Sequence, residues 1–287
     1  MIVKGSSLLY GQKRLKFICM IVYLNGKFLD ARSAKISVLD PGFLSGDGIF
    51  ETLRTYRGAI WEMAEHLERL YESARMRGWK LSFPPPEMAE VIEKTLARNN
   101  YPESRIRVTI TPGVKNAAKP TLFIWVQPLE KLPPSVYRRG VSAITFPLER
   151  PFPQMKTTSM QPLLIARAEM AKNKAFEALL INRKGFITEG TWTNVFMVRR
   201  KTLITPRLGV LLGTTRSSML KLAKPLFRIK LRDITRRELM NADECFVTNA
   251  PKGMVPVVKI DGEKIGTGRV GPVTKHLLKE FAKKVGG

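Results

Sequence analysis

The sequence predicts a mixed fold, α+β grading into α/β, in two parts: a smaller amino-terminal α+β domain and a larger carboxy-terminal domain. Three observations lead there. Strand-like alternation at Ile49–Tyr56 gives way to helical spacing from Met63 to Arg77. Strand and helix patterns then follow one another to the end of the chain. Between the halves, QPLEKLPPS (127–135) holds three prolines and few large apolar residues, the composition of a linker.

Taken in order, Ile21–Leu24 reads as a strand, Asn25-Gly26 as a hairpin turn and Lys27–Asp30 as the returning strand. Ile36–Leu39 reads as a short extended piece, and Asp40-Pro41-Gly42 as a turn. The glycine-rich SGDG (45–48) leads into Ile49–Tyr56, where Ile49, Glu51, Leu53 and Thr55 alternate with Phe50, Thr52, Arg54 and Tyr56. Leu67, Leu70, Tyr71 and Ala74 then recur at helical spacing up to the stop at Gly78. Three prolines (84–86) open a second amphipathic helix carrying Met88, Val91, Ile92 and Leu96. Arg105–Thr111 and Thr121–Gln127 read as strands.

Beyond the linker, Arg138–Phe146 is strand-like, Pro162–Lys174 helical, and Ala178–Asn182 a strand. Extended pieces follow at Asn194–Val198 and Thr202–Thr205, then a helix from Thr214 that Pro225 ends. Thr235 and Glu238 have capping-box spacing. Strands at Cys245–Thr248 and Val255–Ile260 precede a helix from Pro272 to Lys284. The expected boundaries are a loose extension at 1–19, a small domain at 20–126, a linker at 127–137 and a large domain at 138–287.

Composition narrows the function. With 49 basic and 24 acidic residues the net charge is +25, which invites a polyanion-binding reading, yet the basic residues are dispersed and lack zinc spacing or an RNA-binding aromatic signature. A solvated basic surface with non-specific polyanion affinity is the alternative outside the enzymes; a specific nucleic-acid partner is not expected. No apolar run approaches the ~18 residues of a membrane span. Two cysteines, Cys19 and Cys245, form no disulfide framework, which favours the cytoplasm.

The familiar catalytic constellations are missing. His66 and His276 are the only histidines, and neither has a second histidine at ligand spacing, so no zinc site is expected. There is no GxSxG elbow and no GxxxxGK[ST] phosphate loop. An organic cofactor is the remaining place to look.

Four segments in order carry a resemblance: SGDGIFETLRTYRGAIWEMAEHLERL (45–70), MKTTSMQPLLIARAEM (155–170), EALLINRKGFITEGTWTNVFMV (177–198), and LLGTTR (211–216) with ADECFVTNAPKGMVPVVKIDGEKIGTGRVGPVTK (242–275). Together they resemble the class IV, or fold-type IV, pyridoxal phosphate aminotransferases over residues 21 to 285. That family includes branched-chain and D-amino acid aminotransferases and aminodeoxychorismate lyase. The resemblance implies a two-domain, D-amino acid aminotransferase-like fold, pyridoxal 5'-phosphate as cofactor, small amino and 2-oxo acids as substrates, and a homodimer.

Its site residues carry over by position. Lys156 matches the lysine that forms the Schiff base and shuttles the substrate proton, and its neighbours Met155, Thr157, Thr158, Ser159 and Met160 are uncharged. Glu189 matches the acid beside the pyridine nitrogen, with Asn194 in support. Arg69, with Gly213, Thr214 and Thr215 at a helix start, matches the phosphate site, a setting that suits a dianion. Asn249 and Ala250 match a second contact loop. Taken alone, Lys156 is a solvated lysine, Glu189 a turn glutamate and Arg69 a surface helix arginine; only the resemblance singles them out.

The substrate is less determined. GRVGPVTK (268–275) is similar to branched-chain enzymes, whereas Thr158-Ser159-Met160-Gln161 departs from their glycine-rich stretch. D-amino acid aminotransferases resemble the strand around Phe50 but place arginine and histidine in the loop where this chain has Lys115. Phe50 and Lys115 are the candidate substrate contacts. The expected activity is branched-chain-like transamination, with aminodeoxychorismate lyase or D-amino acid transamination as alternatives.

Overall fold

The computed structural model describes residues 20–114 and 120–286. The expected extension at 1–19 and the candidate contact Lys115 therefore lie outside the described residues.

The first half builds one antiparallel sheet. Strands β1 (Ile21–Leu24) and β2 (Lys27–Asp30) form the expected Asn25-Gly26 hairpin. After a one-turn helix α1 (Pro41–Leu44) come β3 (Ile49–Tyr56) and the short β4 (Ala59–Ile60). Helices α2 (Met63–Met76) and α3 (Pro85–Ala97) follow, then β5 (Ser104–Thr111) and β6 (Thr121–Pro128), giving the strand order β2-β1-β6-β5-β3-β4.

Alternation decides which face is buried. Ile106, Val108 and Ile110 of β5 and Leu122, Ile124 and Val126 of β6 lie against α2 and α3, together with Leu67, Leu70, Met88 and Ile92. Burying each such side chain contributes about 1.5–3 kcal/mol relative to leaving it in water. The opposite face carries Phe50, Thr52 and Arg54, with Arg107 directly across from Thr52.

Ile36–Leu39 departs from expectation. It joins no strand, and Ile36, Val38 and Leu39 face solvent.

The second half begins with α4 (Pro134–Arg139), which occupies the end of the expected linker, and runs through β7 (Val141–Pro147), α5 (Gln161–Lys172), β8 (Glu177–Ile181) and β9 (Phe186–Gly190). Next are β10 (Asn194–Arg199), β11 (Thr202–Thr205), α6 (Thr214–Ala223), β12 (Arg228–Leu231) and β13 (Ile234–Thr235). The chain closes with α7 (Arg236–Met240), β14 (Glu244–Asn249), β15 (Gly253–Ile260), β16 (Glu263–Lys264) and α8 (Pro272–Gly286).

Its sheet runs β12-β11-β10-β14-β15-β7-β8-β9-β13, with parallel pairing only at β11–β12, β15–β7 and β7–β8. An extra pairing of Glu189 with Asn194 joins β9 to β10, so six strands close on themselves. Ala143, Leu179, Val195, Val247 and Val257 fill one side of this sheet, while α6 and α8 cover Phe196, Leu203 and Phe246.

Two caps anchor the helices. The Thr235–Glu238 capping box forms as its spacing predicts. At α8 the buried carboxylate of Glu244 accepts the N–H groups of Val273 and Thr274. A side chain at Gly271 would meet that carboxylate, which explains the glycine.

Candidate active site

The backbone stretch Leu211 to Gly213 collects contacts from Glu189, Asn194 and Arg69. The Leu211 N–H donates to Glu189 Oε2 at 2.9 Å, and its carbonyl accepts from Asn194 Nδ2 at 2.8 Å. The next carbonyl, Leu212, accepts from Arg69 Nη1 at 2.9 Å. Gly213 caps α6 without a side-chain hydrogen bond, leaving the first amides of the helix unclaimed by a cap. A side chain at Gly213 would collide with Asn194 Oδ1, so the close approach demands glycine. Glu189 and Asn194 face this stretch because they pair at the β9–β10 closure.

The inner side of α2 supplies the other wall. Arg69 binds Glu51 with both ends of its fork, Nε to Oε1 at 2.7 Å and Nη2 to Oε2 at 2.8 Å. His66 Nδ1 stands 2.8 Å from Glu51 Oε2, and its Nε2 is 3.1 Å from the Thr214 hydroxyl. Burial opposes a charge on Glu51, but Arg69, Lys156 and the hydrogen bonds from His66 and Arg69 outweigh it and hold the carboxyl well below the usual carboxylate range.

Lys156 lies in the loop before α5, half-buried, and that loop is stitched to the first sheet. Its carbonyl accepts the Phe50 N–H at 2.9 Å, and its own N–H donates to Ser73 Oγ at 3.3 Å. Thr157 bridges Ile49, and the Thr158 N–H donates to the Gly48 carbonyl at 2.8 Å. SGDG is thus a seat for the lysine loop. Burial, followed by Arg69 and Arg150, pushes the Lys156 amine down to about 7, with Glu51 and Glu189 opposing. An amine in that range is half neutral at physiological pH.

Glu189 is nearly fully buried, and burial raises its carboxyl despite Arg150, the Leu211 amide and Lys156. Arg150 Nε lies 2.9 Å from Glu189 Oε1, an ion-pair distance, yet neither atom makes a well-directed hydrogen bond. Glu189 Oε1 thus faces a cation without spending a lone pair on a directed hydrogen bond.

Phe50 lies on the face of β3 that meets this site. Its ring is 5.2 Å from Lys156 Nζ and 3.8 Å from the Arg107 guanidinium. Arg107 makes no ion pair among the described residues, its Nε donating to Thr109 Oγ1 at 3.2 Å; burial and the neighbouring Arg105 push it down to about 10, so it stays charged at neutral pH. Asn249 ends β14 beside the start of β10 and Ala250 begins the turn after it, and Arg54 Nη1 ties that turn to β3 through the Pro251 carbonyl at 3.0 Å. No hydrogen bond joins Asn249 or Ala250 to Glu189 or Lys156 among the described residues.

Reasoning from sequence missed Glu51, His66, Arg107 and Arg150. Glu51 carried a signal, an acid on the apolar face of an alternating strand. Arg107 carried one too, since β5 alternates arginines with Ile106 and Val108. Among the described residues no group of three His, Cys, Asp or Glu could hold a metal ion.

Comparison with known proteins accounts for this arrangement. A family model described as amino-transferase class IV matches residues 48–260. A Methanocaldococcus jannaschii protein provisionally named branched-chain-amino-acid aminotransferase is 36% identical over 277 residues, covering 91% of this chain and 95% of its own. A Bacillus licheniformis D-alanine aminotransferase is 31% identical over 286 residues, covering 93% of this chain and 100% of its own. The crystal structure of the T.th. branched-chain amino acid aminotransferase with pyridoxamine 5'-phosphate superposes with a TM-score of 0.87 at 29% identity, covering 93% of this chain and 94% of that one.

Proposed function

The chain belongs to the class IV aminotransferases, pyridoxal phosphate-dependent enzymes of mixed α and β fold, and from that premise we propose that it moves amino groups between branched-chain-like L-amino acids and their 2-oxo acids. The observation that carries the reading is the lysine loop held against β3, with Lys156 Nζ 5.2 Å from the Phe50 ring on the face where Arg107 stands 3.8 Å from the same ring.

The residues present fit the cofactor. Glu189 Oε1 is buried, makes no directed hydrogen bond and faces only Arg150 Nε at 2.9 Å, so it would accept a pyridine N–H if that arginine yields the position. The uncapped start of α6 with Thr214 and Thr215, and the remaining N–H groups of Arg69, fit a phosphate. Bound pyridoxal phosphate supplies a carbonyl that takes up the amino group and a ring that accepts the electron pair left at Cα. Lys156 Nζ, neutral in a useful fraction, takes the proton from Cα and returns it on the far side of the exchange. Glu189 holds positive charge at the ring nitrogen, and Asn194 keeps the Leu211 backbone in place behind it.

Arg107 is our choice for the substrate carboxylate. It is charged, has no acidic partner among the described residues, and stands over Phe50 on the sheet face that meets Lys156. Asn249 and Ala250 would line the same space from the β14 end. The names of the M. jannaschii and T.th. relatives support branched-chain substrates; the B. licheniformis relative keeps D-alanine as the second reading.

We infer a homodimer as well. Val38, Leu39, Phe43 and Leu44 are all more than 60% exposed, and the neighbouring groove at Gly46, Gly48 and Met155 is rimmed by exposed Phe152. So much contiguous apolar surface is unusual on a monomer. A reduced, buried Cys245 suits the cytoplasm.

Purified protein should absorb as a yellow cofactor complex, and borohydride should fix that cofactor on Lys156. A panel of D- and L-amino acids with a 2-oxo acid acceptor then assigns the substrate, and light scattering the dimer. Turnover of D-alanine but not of L-leucine would overturn the branched-chain reading; a colourless protein inert to both would overturn the enzyme.

A further inference from the structure

His66 is one of two histidines in the chain and is enclosed, with 1% of its surface exposed. It links two parts of the site. Nδ1 faces Glu51 Oε2 at 2.8 Å from β3, and Nε2 faces Thr214 Oγ1 at 3.1 Å from α6. Glu51 is an ionised carboxylate, already accepting both arms of Arg69 and the Thr52 N–H. A carboxylate can only accept, so Nδ1 carries a hydrogen and donates it.

The state of Nε2 then decides what Thr214 can offer. Without a proton, Nε2 accepts the Thr214 hydroxyl hydrogen, and only lone pairs of that oxygen remain for the mouth of α6. With a proton, Nε2 donates to Thr214 Oγ1 and frees the hydroxyl hydrogen. A phosphate dianion at the helix start needs donors and would meet lone pairs in the first state.

We propose that His66 is a proton-linked positioning residue for phosphate: neutral in the empty site, it takes up a proton at Nε2 when a phosphate group docks at the start of α6, and so turns the Thr214 hydroxyl round to donate to that phosphate. The inference rests on the assignment of Arg69 and the α6 start to the cofactor phosphate made above.

The charges around His66 set both ends of this switch. Burial is the largest influence and favours the neutral ring; the Glu51 hydrogen bond and charge oppose it, while Arg69 on the same helix and Lys156 from its loop reinforce it. A dianion arriving on the Thr214 side adds negative charge at the open end of the ring and offsets Arg69 and Lys156, which favours the imidazolium. No covalent step is involved. One proton moves from solvent to Nε2 as the phosphate binds.

The chain suits a direct test, because only two histidines give signals. Histidine nitrogens of the full-length, cofactor-free protein would be followed by long-range proton–nitrogen NMR at neutral pH, with His276→Gln assigning the pair. Before addition His66 should show the neutral ring with its hydrogen on Nδ1. Titration with pyridoxal phosphate, and separately with inorganic phosphate, should convert it to the doubly protonated ring. Because the Lys156 amine also titrates in this range, the readout is the ratio of parental to His66→Gln cofactor affinity, which should fall by up to about tenfold per pH unit across the window where binding takes up the proton. A residue that merely fills space would leave that ratio the same at every pH.

If cofactor absorbance develops while His66 stays neutral, the inference fails and the proposed function stands. If no cofactor absorbance develops, the proposed function fails and takes this inference with it. A response to pyridoxal phosphate but not to inorganic phosphate would assign the proton uptake to the ring rather than the phosphate, and would equally overturn it.

Discussion

The Lys156 carbonyl accepts the Phe50 N–H at 2.9 Å while the Phe50 ring lies 5.2 Å from Nζ of the same lysine. Backbone pairing therefore holds the lysine loop against β3, and the side chain is free to act. Lys156→Ala should leave the fold intact, with a far-ultraviolet circular dichroism spectrum matching that of the parent. Its transamination rate should drop by about 10²–10⁴-fold or more, the scale of a lost general base with a covalent role besides. Turnover at the parental rate would sink the mechanism.

The same amine makes stability depend on pH, and the sign follows from its pKa. In the unfolded chain a lysine keeps its proton up to its ordinary value of 10.5, whereas the folded, cofactor-free amine gives it up at about 7. Between those values the unfolded state binds more protons, so stability should rise with pH across that window. Lys156→Met should flatten this component. Denaturant midpoints for both proteins at pH 7, 8 and 9 check it, and a parent-minus-variant difference that stays constant or grows more unfavourable to Lys156 with pH would contradict it.

Much of the fold was legible because its elements carry local signals. The Asn25-Gly26 hairpin, the Thr235–Glu238 capping box, and the helices opened by Pro85 and Pro272 all rest on residues within one turn of each other. Ile36–Leu39, read as a short extended piece, pairs with no strand and leaves Ile36, Val38 and Leu39 exposed. At the site, resemblance nominated Lys156, Glu189 and Arg69, and the contacts that surround them depend on long-range closure. Glu51 meets Arg69 only because β3 packs on α2, and Thr214 reaches His66 across 148 positions of sequence. No local pattern encodes such pairs.

Arg107 stands over Phe50 at 3.8 Å with no acidic partner among the described residues. If it anchors the substrate carboxylate, Arg107→Leu should lower kcat/KM by about 10–150-fold, the worth of a charge-assisted hydrogen bond of ~1.5–3 kcal/mol. The loss should appear for the amino acid and for the 2-oxo acid alike, because both carry that carboxylate. Arg107→Lys should recover only part, lacking the two-pronged fork. Steady-state kinetics with a simple amine lacking a carboxylate supply the control: an equal loss there would assign Arg107 to structure instead.

Glu51 is the largest single liability in the site. It is fully buried, and it is stable as an anion because Arg69 and His66 face it at 2.7–2.8 Å. Removing the anion strands Arg69, whose remaining anchor is the Leu212 carbonyl, and takes the acceptor from His66 Nδ1. Breaking one side of a buried pair typically costs about 3–5 kcal/mol, because the partner's charge is left uncompensated. Glu51→Gln keeps the shape and one acceptor oxygen but turns an amide N–H₂ toward donors, so it should cost nearly that much in urea unfolding. Pairing it with Arg69→Met removes the stranded charge and should recover a good part of the stability, while cofactor affinity, deprived of Arg69, should fall further. Stability recovering as affinity falls is the signature of a site charge held for function; stability falling further in the double variant would mean that Arg69 is anchored by Leu212 and its surroundings rather than by Glu51.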